Sequence, residues 1–197
     1  MKLKMAGLGI FMIFFSLLPA YADAPLSTVQ ANVNKVLDVL RDPALKADSA
    51  KVTKKEKLRS IYGSMFDEVE LSKRTLARNW NKLNTAQRQE FVQLFQDVLE
   101  KAYVDKILSY TNEKITYEKE IKLTENQFEV QTLVITSSKN VPIFYRVILS
   151  GGNWKVYDVI VENVSLVQNY RTQFNNILEK NTPEQLLEIL RKKVKEH

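Results

Sequence analysis

The chain has 197 residues and no cysteine, which excludes disulfide bonds, thiol catalysis and thiolate metal sites. Its formal net charge of +6 comes from 29 basic and 23 acidic residues, a mild excess that does not indicate a nucleic-acid-binding protein. With this length and 45% hydrophobic residues, one domain with a substantial core is expected.

The first 22 residues have the pattern of a cleavable secretion signal. Lys2 and Lys4 form a positive start, residues 5–18 are apolar, and Ala20-Tyr21-Ala22 has the small-residue spacing that signal peptidase requires. The apolar run of about 14 residues is shorter than the roughly 20 that span a bilayer, which favours a signal over a membrane anchor. We expect cleavage after Ala22 and a single exported domain over residues 23–197, without the cysteine that a lipoprotein anchor needs.

Helices are expected to fill the first half of this domain, over residues 26–110. Apolar residues recur at helical spacing at the start, and Asp42-Pro43 should end the first helix because the residue before a proline disfavours helical geometry. Asn84 or Thr85 can cap a long fourth helix. The predicted helices are 26–40, 58–66, 71–80 and 85–108.

Over residues 113–162 the period of the apolar residues changes from 3.6 to 2, which is typical of strands. Gly151-Gly152 predicts a tight turn before the last strand. The pattern therefore predicts an antiparallel meander of four strands. Strands two to four carry large apolar residues on both faces, so we expect cover on both sides of the sheet.

Two helices should end the chain, over residues 166–195. The second of them should start at Thr182-Pro183, a capping residue followed by proline at the first helical position. The order of helices, strands and helices predicts an α+β protein with a curved four-stranded antiparallel sheet wrapped by helices. Such an arrangement can hold an apolar pocket between the sheet and the helices.

Catalytic chemistry has little support in the sequence. The sole histidine is His197, the last residue, and no hydrolase, metalloprotease, phosphate-loop or dinucleotide motif is present. The acids Asp67, Glu68 and Glu70 lack the spacing of a calcium loop, so a solvated helix start is favoured over a metal site. We therefore expect no cofactor, no metal and no catalytic residue.

Asp158 is the acid with two open interpretations. Its position in the alternating pattern places it in phase with Trp154, Val156 and Ile160, on one predicted sheet face. A half-buried carboxylate there could act as a base. The favoured interpretation is structural, with Asp158 satisfied by arginine, tyrosine or backbone donors and orienting a loop or helix, because no histidine or second acid accompanies it.

Two basic runs, residues 51–59 and 191–195, also have two interpretations. They could meet lipid phosphates or an acidic protein face. Solvated helix faces are the more frequent explanation for such runs, and this is the favoured one here.

One string of residues is similar to a known family. The first part runs through Phe66-Asp67, Leu71-Ser72, Trp80, Phe91 and Phe95. The second part contains Trp154-Lys155-Val156-Tyr157-Asp158-Val159 and then Val164-Ser165-Leu166-Val167 and Asn169-Tyr170-Arg171. Together they resemble the MlaC/toluene-tolerance family of periplasmic phospholipid-binding proteins, over nearly all of the mature chain.

The resemblance implies a fold like that of nuclear transport factor 2, with an apolar pocket for the acyl chains of a phospholipid. It implies a periplasmic shuttle that maintains outer-membrane lipid asymmetry. Its partners would be an inner-membrane ABC transporter with an MCE-domain protein, and an outer-membrane lipoprotein–porin complex. A relative of the family is linked to hopanoid transport, which leaves the lipid class open.

By motif, Val164 lies at the mouth of the implied pocket, after the last strand. The other candidate lipid-binding residues are large apolar side chains of the helices and strands, each of which could equally be plain core. They are Trp80, Phe91, Phe95, Val134, Tyr145, Val147, Leu149 and Ile160.

The sequence departs from the family pattern at two positions. Asn163 stands where the family often has glycine, and asparagine tolerates the left-handed conformation, so the turn can survive. Ala77 also stands in place of a frequent glycine, with a slight change of packing beside Trp80 expected.

Three hypotheses follow from the sequence. The first is the lipid carrier. The second is an enzyme of the same curved-sheet fold that acts on a hydrophobic substrate with Asp158 as base. The third is a periplasmic interaction module whose core is filled.

Overall fold

The structure is a computed structural model that describes residues 24–110 and 113–196. The predicted secretion signal lies outside the described residues. Six α-helices are described: α1 Pro25–Arg41, α2 Lys51–Met65, α3 Glu68–Leu76, α4 Thr85–Leu108, α5 Leu166–Leu178 and α6 Pro183–Lys195. The strands are β1 Lys114–Thr124, β2 Gln127–Ile135, β3 Asn140–Ser150, β4 Asn153–Val161 and β5 Val164–Ser165.

Local capping chemistry sets several helix boundaries. Asn84 precedes α4, and its side chain accepts a hydrogen bond from the backbone N–H of Gln87 at 2.9 Å, while the Gln87 side chain accepts one from the Asn84 backbone at 3.0 Å. Thr182 and Gln185 form the same reciprocal pair at the start of α6, with Pro183 as its first residue. Such pairs satisfy backbone donors that a helix start leaves free. Both predicted starts are confirmed.

The end of α1 is also confirmed. The helix ends at Arg41, and the Asp42 side chain accepts a hydrogen bond from the Ala44 backbone N–H at 2.9 Å. The next residue, Pro43, opens a short 3₁₀ helix that ends at Leu45. Proline therefore starts a new element here, as its geometry dictates.

The sheet is a curved antiparallel meander in the order β1-β2-β3-β4-β5. The sequence predicts four strands, and the structure adds a fifth of two residues, Val164–Ser165, which pairs with Val161 and Ile160 of β4. A two-residue strand has no period of its own in the sequence, so the pattern could not indicate it. The predicted α+β class and its curved sheet are confirmed.

Two tight turns connect the last strands. Gly151 and Gly152 have φ values of 56° and 80°, and Glu162 and Asn163 have φ values of 48° and 67°. Successive left-handed residues form the hairpin turn that matches the twist of a sheet. Asn163 therefore keeps the turn in place of glycine, as predicted.

The core consists of two clusters. The helical cluster is built from α3, α4, α5, α6 and the 3₁₀ helix Ala77–Lys82, with Phe91, Phe95 and Phe174 in edge-to-face or tilted contact at 5.4 to 5.6 Å. The sheet cluster lies between α1 and the sheet. Its buried members are Val29, Val33, Leu37, Met65, Val130, Val147 and Val156. No helix of the described residues is long and apolar enough to cross a bilayer.

The predicted third helix, 71–80, is split in the structure. Helix α3 ends at Leu76, and Ala77 has φ 49° and ψ −124°, after which a 3₁₀ helix leads to Trp80 and Lys82. An L-residue is strained in this conformation, whereas glycine is not. Replacing the frequent family glycine by Ala77 therefore affects the backbone conformation at this position. The sequence predicts only a slight change of packing beside Trp80, and that expectation does not include the strained backbone.

We expect Ala77→Gly to raise the free energy of unfolding by about 0.5 to 1 kcal/mol, since relief of strain exceeds the added freedom of the unfolded chain. Ala102→Gly, at an exposed position within α4, is the matched control and should lower it by about 1 kcal/mol. Urea unfolding of the two variants measures both values. A loss of stability in Ala77→Gly would show that this backbone position carries no strain.

Candidate functional site

The face of the sheet toward α1 is defined by the strand register, because residues directly opposite each other on neighbouring strands point to the same side. We call it the α1 face. Its residues come from all five strands. They are Ile115, Tyr117, Glu120, Lys122, Phe128, Val130, Thr132, Val134, Val141, Ile143, Tyr145, Val147, Leu149, Trp154, Val156, Val159, Val161 and Val164.

One end of the α1 face is closed. Val130, Val147 and Val156 are each at most 2% exposed, and they share the sheet cluster with Val29 and Val33 of α1. Burial of apolar area here contributes to holding α1 on the sheet. The backbone N–H of Leu26 also donates to the Glu120 carboxylate of β1 at 2.8 Å, which satisfies a free donor at the start of α1.

The other end of the same face is open. Val134, Val141 and Ile143 are only half-buried although they lie on inner strands, and Val161 and Val164 are 38% and 59% exposed. None of the five belongs to the sheet cluster or packs against it. We call these five residues the open floor. A continuous aliphatic surface of this kind is typical of an interaction or ligand site.

Two tyrosines lie between the closed end and the open floor. Tyr117 of β1 and Tyr145 of β3 both pack against the sheet cluster. Burial raises the pKa of Tyr117 to about 12. Burial also raises the pKa of Tyr145, and repulsion from an ionised Tyr117 adds to that rise. Both side chains therefore remain neutral donors over the physiological range.

The opposite face of the sheet is polar near its centre. An irregularity between Arg146 and Val147 places two β4 residues, Tyr157 and Asp158, where the regular register has one. Asp158 then pairs with Arg146, while Val156 stays on the α1 face. The prediction that Asp158 shares a face with Trp154 and Val156 is therefore wrong, because a bulge changes the side to which the following residues point, whereas its predicted alignment with Ile160 is confirmed.

Asp158 is 2% exposed and its two oxygens are occupied. The Ser165 hydroxyl donates to one oxygen at 2.7 Å, and the Val167 backbone N–H donates to the other at 3.0 Å. The guanidinium group of Arg146 lies 3.8 Å from an Asp158 carboxylate oxygen. The Ser165 hydroxyl also accepts a hydrogen bond from the Gln168 backbone N–H at 3.0 Å, so Asp158 and Ser165 together cap the start of α5. The structural interpretation of Asp158 is confirmed.

The nine residues predicted for lipid contact fall into four places. Val134 and Val164 belong to the open floor, and Tyr145, Val147 and Leu149 lie further along the α1 face. Ile160 pairs with Phe144 and lies on the opposite face. The other three lie buried in the helical cluster: Trp80, Phe91 and Phe95. A role of these nine residues in lipid contact stays a prediction.

The prediction missed three members of the open floor, Val141, Ile143 and Val161, and it also missed Tyr117. Alternation within β3 would have grouped Val141 and Ile143 with Tyr145. The pairing of Val161 with Ile143 depends on the bulge in β4, for which the sequence has no signal. The sequence also predicts cover on both faces of strands two to four. On the face opposite α1 this cover is partial, because the side chains of Phe144 and Ile148 are half-buried.

Two other kinds of candidate site are a surface cleft and a metal site. A wide cleft of about 340 Å³ between α1 and α2 is lined by both charged and apolar side chains: Lys35, Asp38, Val39, Lys57, Ser60 and Ile61. Within residues 24–110 and 113–196, no group of three acidic, histidine or cysteine side chains could hold a metal ion.

Several members of the basic runs are engaged inside the chain. Arg59 pairs with Asp97 at 2.7 Å, and Arg191 pairs with Glu90 at 2.7 Å and with Glu184 at 3.0 Å. The Arg59–Asp97 and Arg191–Glu90 pairs connect α2 and α6 to α4, whereas the Arg191–Glu184 pair lies within α6. They support the solvated-face interpretation for these two arginines, while docking by the lysines stays a prediction.

Comparison with known sequences identifies the family of the chain. It matches the profile of the family described as MlaC protein over residues 30–192. The chain belongs to the MlaC family. It is 26% identical over 175 residues to the intermembrane phospholipid transport system binding protein MlaC of Haemophilus influenzae, covering 84% of this chain and 75% of that protein. It is also 26% identical over 178 residues to the toluene tolerance protein ttg2D of Pseudomonas putida, covering 89% and 82%.

A solved structure has the same fold. It is a phospholipid-binding protein from Ralstonia solanacearum in complex with a phospholipid, with a TM-score of 0.79 and 22% sequence identity. The match covers 87% of this chain and 97% of that one. The family predicted from the sequence is confirmed.

We expect Asp158→Asn to lower the free energy of unfolding by about 1 to 3 kcal/mol. The NH₂ group of asparagine would face the Ser165 hydroxyl or the Val167 N–H, which are both donors, and the charge-assisted cap of α5 would be lost. Glu162→Gln removes a carboxylate from a nearby exposed pair with Lys139 and should change stability by less than about 0.5 kcal/mol. Chemical denaturation of both variants decides the point. Equal stabilities would mean that the Asp158 cap contributes nothing.

The raised pKa of Tyr117 predicts a loss of stability at high pH. Below pH 10 the hydroxyl is neutral in both states, so its contribution is complete. As the pH rises toward 12, the unfolded chain ionises first and unfolding is favoured. Urea unfolding between pH 8 and 11 should show a steeper decline for the native sequence than for Tyr117→Phe. Identical slopes would contradict the assignment.

Proposed function

We propose that this protein is a carrier that holds a phospholipid by its acyl chains while the lipid moves between membranes through the periplasm. The open floor is the observation that carries the proposal. It is an aliphatic surface on strands β2 to β5 that side chains of the sheet cluster leave uncovered, in a family whose named relatives include a phospholipid transport binding protein.

The energetics of such a task require breadth of apolar surface. The two tails of a phospholipid hold on the order of 30 methylenes, each worth about 0.8 kcal/mol when it is removed from water. A carrier must cover most of this surface during transfer. The open floor and the candidate residues around it supply aliphatic and aromatic contacts without charged groups. The headgroup can stay in water at the mouth, so little headgroup selectivity is expected.

An enzyme of the same fold is the weaker alternative. Asp158 lies on the side of the sheet opposite the open floor, and its oxygens cap α5. A base in that position cannot reach a substrate that lies on the α1 face. The geometry therefore favours the carrier over an enzyme that uses Asp158 as its base.

The proposal places the protein in the periplasm, after removal of residues 1–22. Transfer would occur with an inner-membrane ABC transporter bearing an MCE-domain protein and with an outer-membrane lipoprotein–porin complex, in the service of outer-membrane lipid asymmetry. Relatives named for phospholipid transport and toluene tolerance support this placement. Energy for directional transfer must come from the transporter, since the chain contains no nucleotide-binding motif.

The direct test is native mass spectrometry of the exported protein, purified from its own compartment, followed by lipid extraction. A co-purifying phospholipid at one molecule per chain is the expected result. A protein free of lipid that also takes none from vesicles would contradict the carrier. Another apolar lipid in its place would keep the carrier and change its cargo.

We expect Val164→Glu to reduce phospholipid uptake at least tenfold, because a carboxylate would have to be desolvated where an acyl chain enters. Val164 is 59% exposed, so the fold should be retained. Val52→Glu is the matched control, since Val52 is 68% exposed on α2 and should leave uptake unchanged. Vesicle-to-protein transfer measures uptake, and circular dichroism checks folding. Equal uptake by both variants would remove Val164 from the mouth.

A further inference from the structure

The hydroxyl of Tyr117 is a polar atom without an internal partner. Its oxygen is buried and forms no hydrogen bond within the part of the chain that the structure describes. Nearby Thr132, directly opposite it on β2, is satisfied because its hydroxyl donates to the Ile143 carbonyl at 2.7 Å. A buried hydroxyl that lacks an acceptor costs on the order of 1 to 3 kcal/mol. Such an exception in a folded protein calls for a specific acceptor.

The position of this hydroxyl relates it to the open floor. Tyr117 pairs with Thr132, and Thr132 pairs with Ile143, which is a member of the open floor. Tyr145 lies two residues beyond Ile143 on β3, on the same face, and its side chain also forms no hydrogen bond among the described residues. Two phenol donors therefore border an aliphatic surface at one boundary.

We propose that Tyr117 and Tyr145 donate hydrogen bonds to the ester carbonyls of a bound acyl glycerol lipid, whose tails extend over the open floor. The inference rests on the proposed function and assigns two residues to the linkage between headgroup and tails. Ester carbonyls are uncharged acceptors attached to apolar chains. They match donors that are themselves neutral and surrounded by aliphatic and aromatic side chains.

The charges on this face argue against a phosphate in the same place. On the α1 face, Glu120 of β1 lies opposite Val130 and binds the Leu26 backbone, and Lys122, the next residue of β1 on this face, lies further from Tyr117 and pairs with Glu125. The Glu120 carboxylate would repel a phosphate. Arg146 lies on the opposite side of the sheet and pairs with Glu129 at 3.1 Å. The phosphate of the lipid is therefore better placed in water, beyond the tyrosines.

The test compares two phospholipids with the same headgroup and the same tail length, one with ester linkages and one with ether linkages, which lack the carbonyls. Equal amounts are mixed in vesicles and offered to the exported chain, and native mass spectrometry gives the ratio of the two complexes. We expect the native sequence to load the diester about twofold to tenfold in excess, the range of one net hydrogen bond. Tyr117→Phe, which removes only the donor, should bring the ratio close to one.

Tyr145→Phe is the second variant and should lower the ratio in the same direction. Tyr103→Phe is the matched control, because Tyr103 packs against the helical cluster and not on the sheet, so its ratio should equal that of the native sequence.

Equal loading of diester and diether by the native sequence would overturn the inference while leaving the carrier intact. A preference that survives in both Tyr117→Phe and Tyr145→Phe would overturn it as well. Loading of neither lipid would overturn the proposed carrier function and this inference with it.

Discussion

The covering of the sheet by α1 is the constraint on which the rest of the structure depends. The α1 face extends across five strands, and α1 packs over only one end of it. At the closed end, valines of helix and sheet bury one another and stabilise the fold. At the open end, the same kinds of side chain have no helical partner in the sheet cluster. One face therefore provides both a core and an apolar surface that is available to a ligand.

The five residues of the open floor carry no charge, and the charged residues Glu120 and Lys122 lie elsewhere on the α1 face. The bulge in β4 turns Asp158 away from the α1 face, where its carboxylate caps α5 and lies near Arg146. The hydrogen bonds from Ser165 and Val167 satisfy this buried carboxylate, which gives the acid in the centre of the sheet a structural role. The tyrosines that remain on the α1 face are neutral because burial raises the pKa of each phenol. A carrier for uncharged, flexible acyl chains needs such a surface more than it needs precisely placed ionic groups.

Much of the fold could be predicted from the sequence because local rules dominate there. The Asp42-Pro43 boundary, the Asn84 and Thr182 caps and the Gly151-Gly152 turn depend on neighbouring residues only. Ala77 shows the limit of such rules, since alanine gives no local signal for a positive φ. The candidate site was predicted less well. Val134 and Val164, which were predicted to contact lipid, lie in the open floor, whereas Ile160 lies on the opposite face because the bulge precedes it.

The sequence by itself determined the family, the order of helices and strands, and the absence of catalytic motifs. These follow from residue spacing and from the motif around Trp154 and Val164. Only the tertiary structure decided which apolar residues are core and which form an open surface. Periodicity assigns a residue to a face, but it cannot say how far a helix from a distant part of the chain extends over that face. The helix α1 leaves Val134, Val141 and Ile143 uncovered, and that fact depends on the packing of segments about a hundred residues apart.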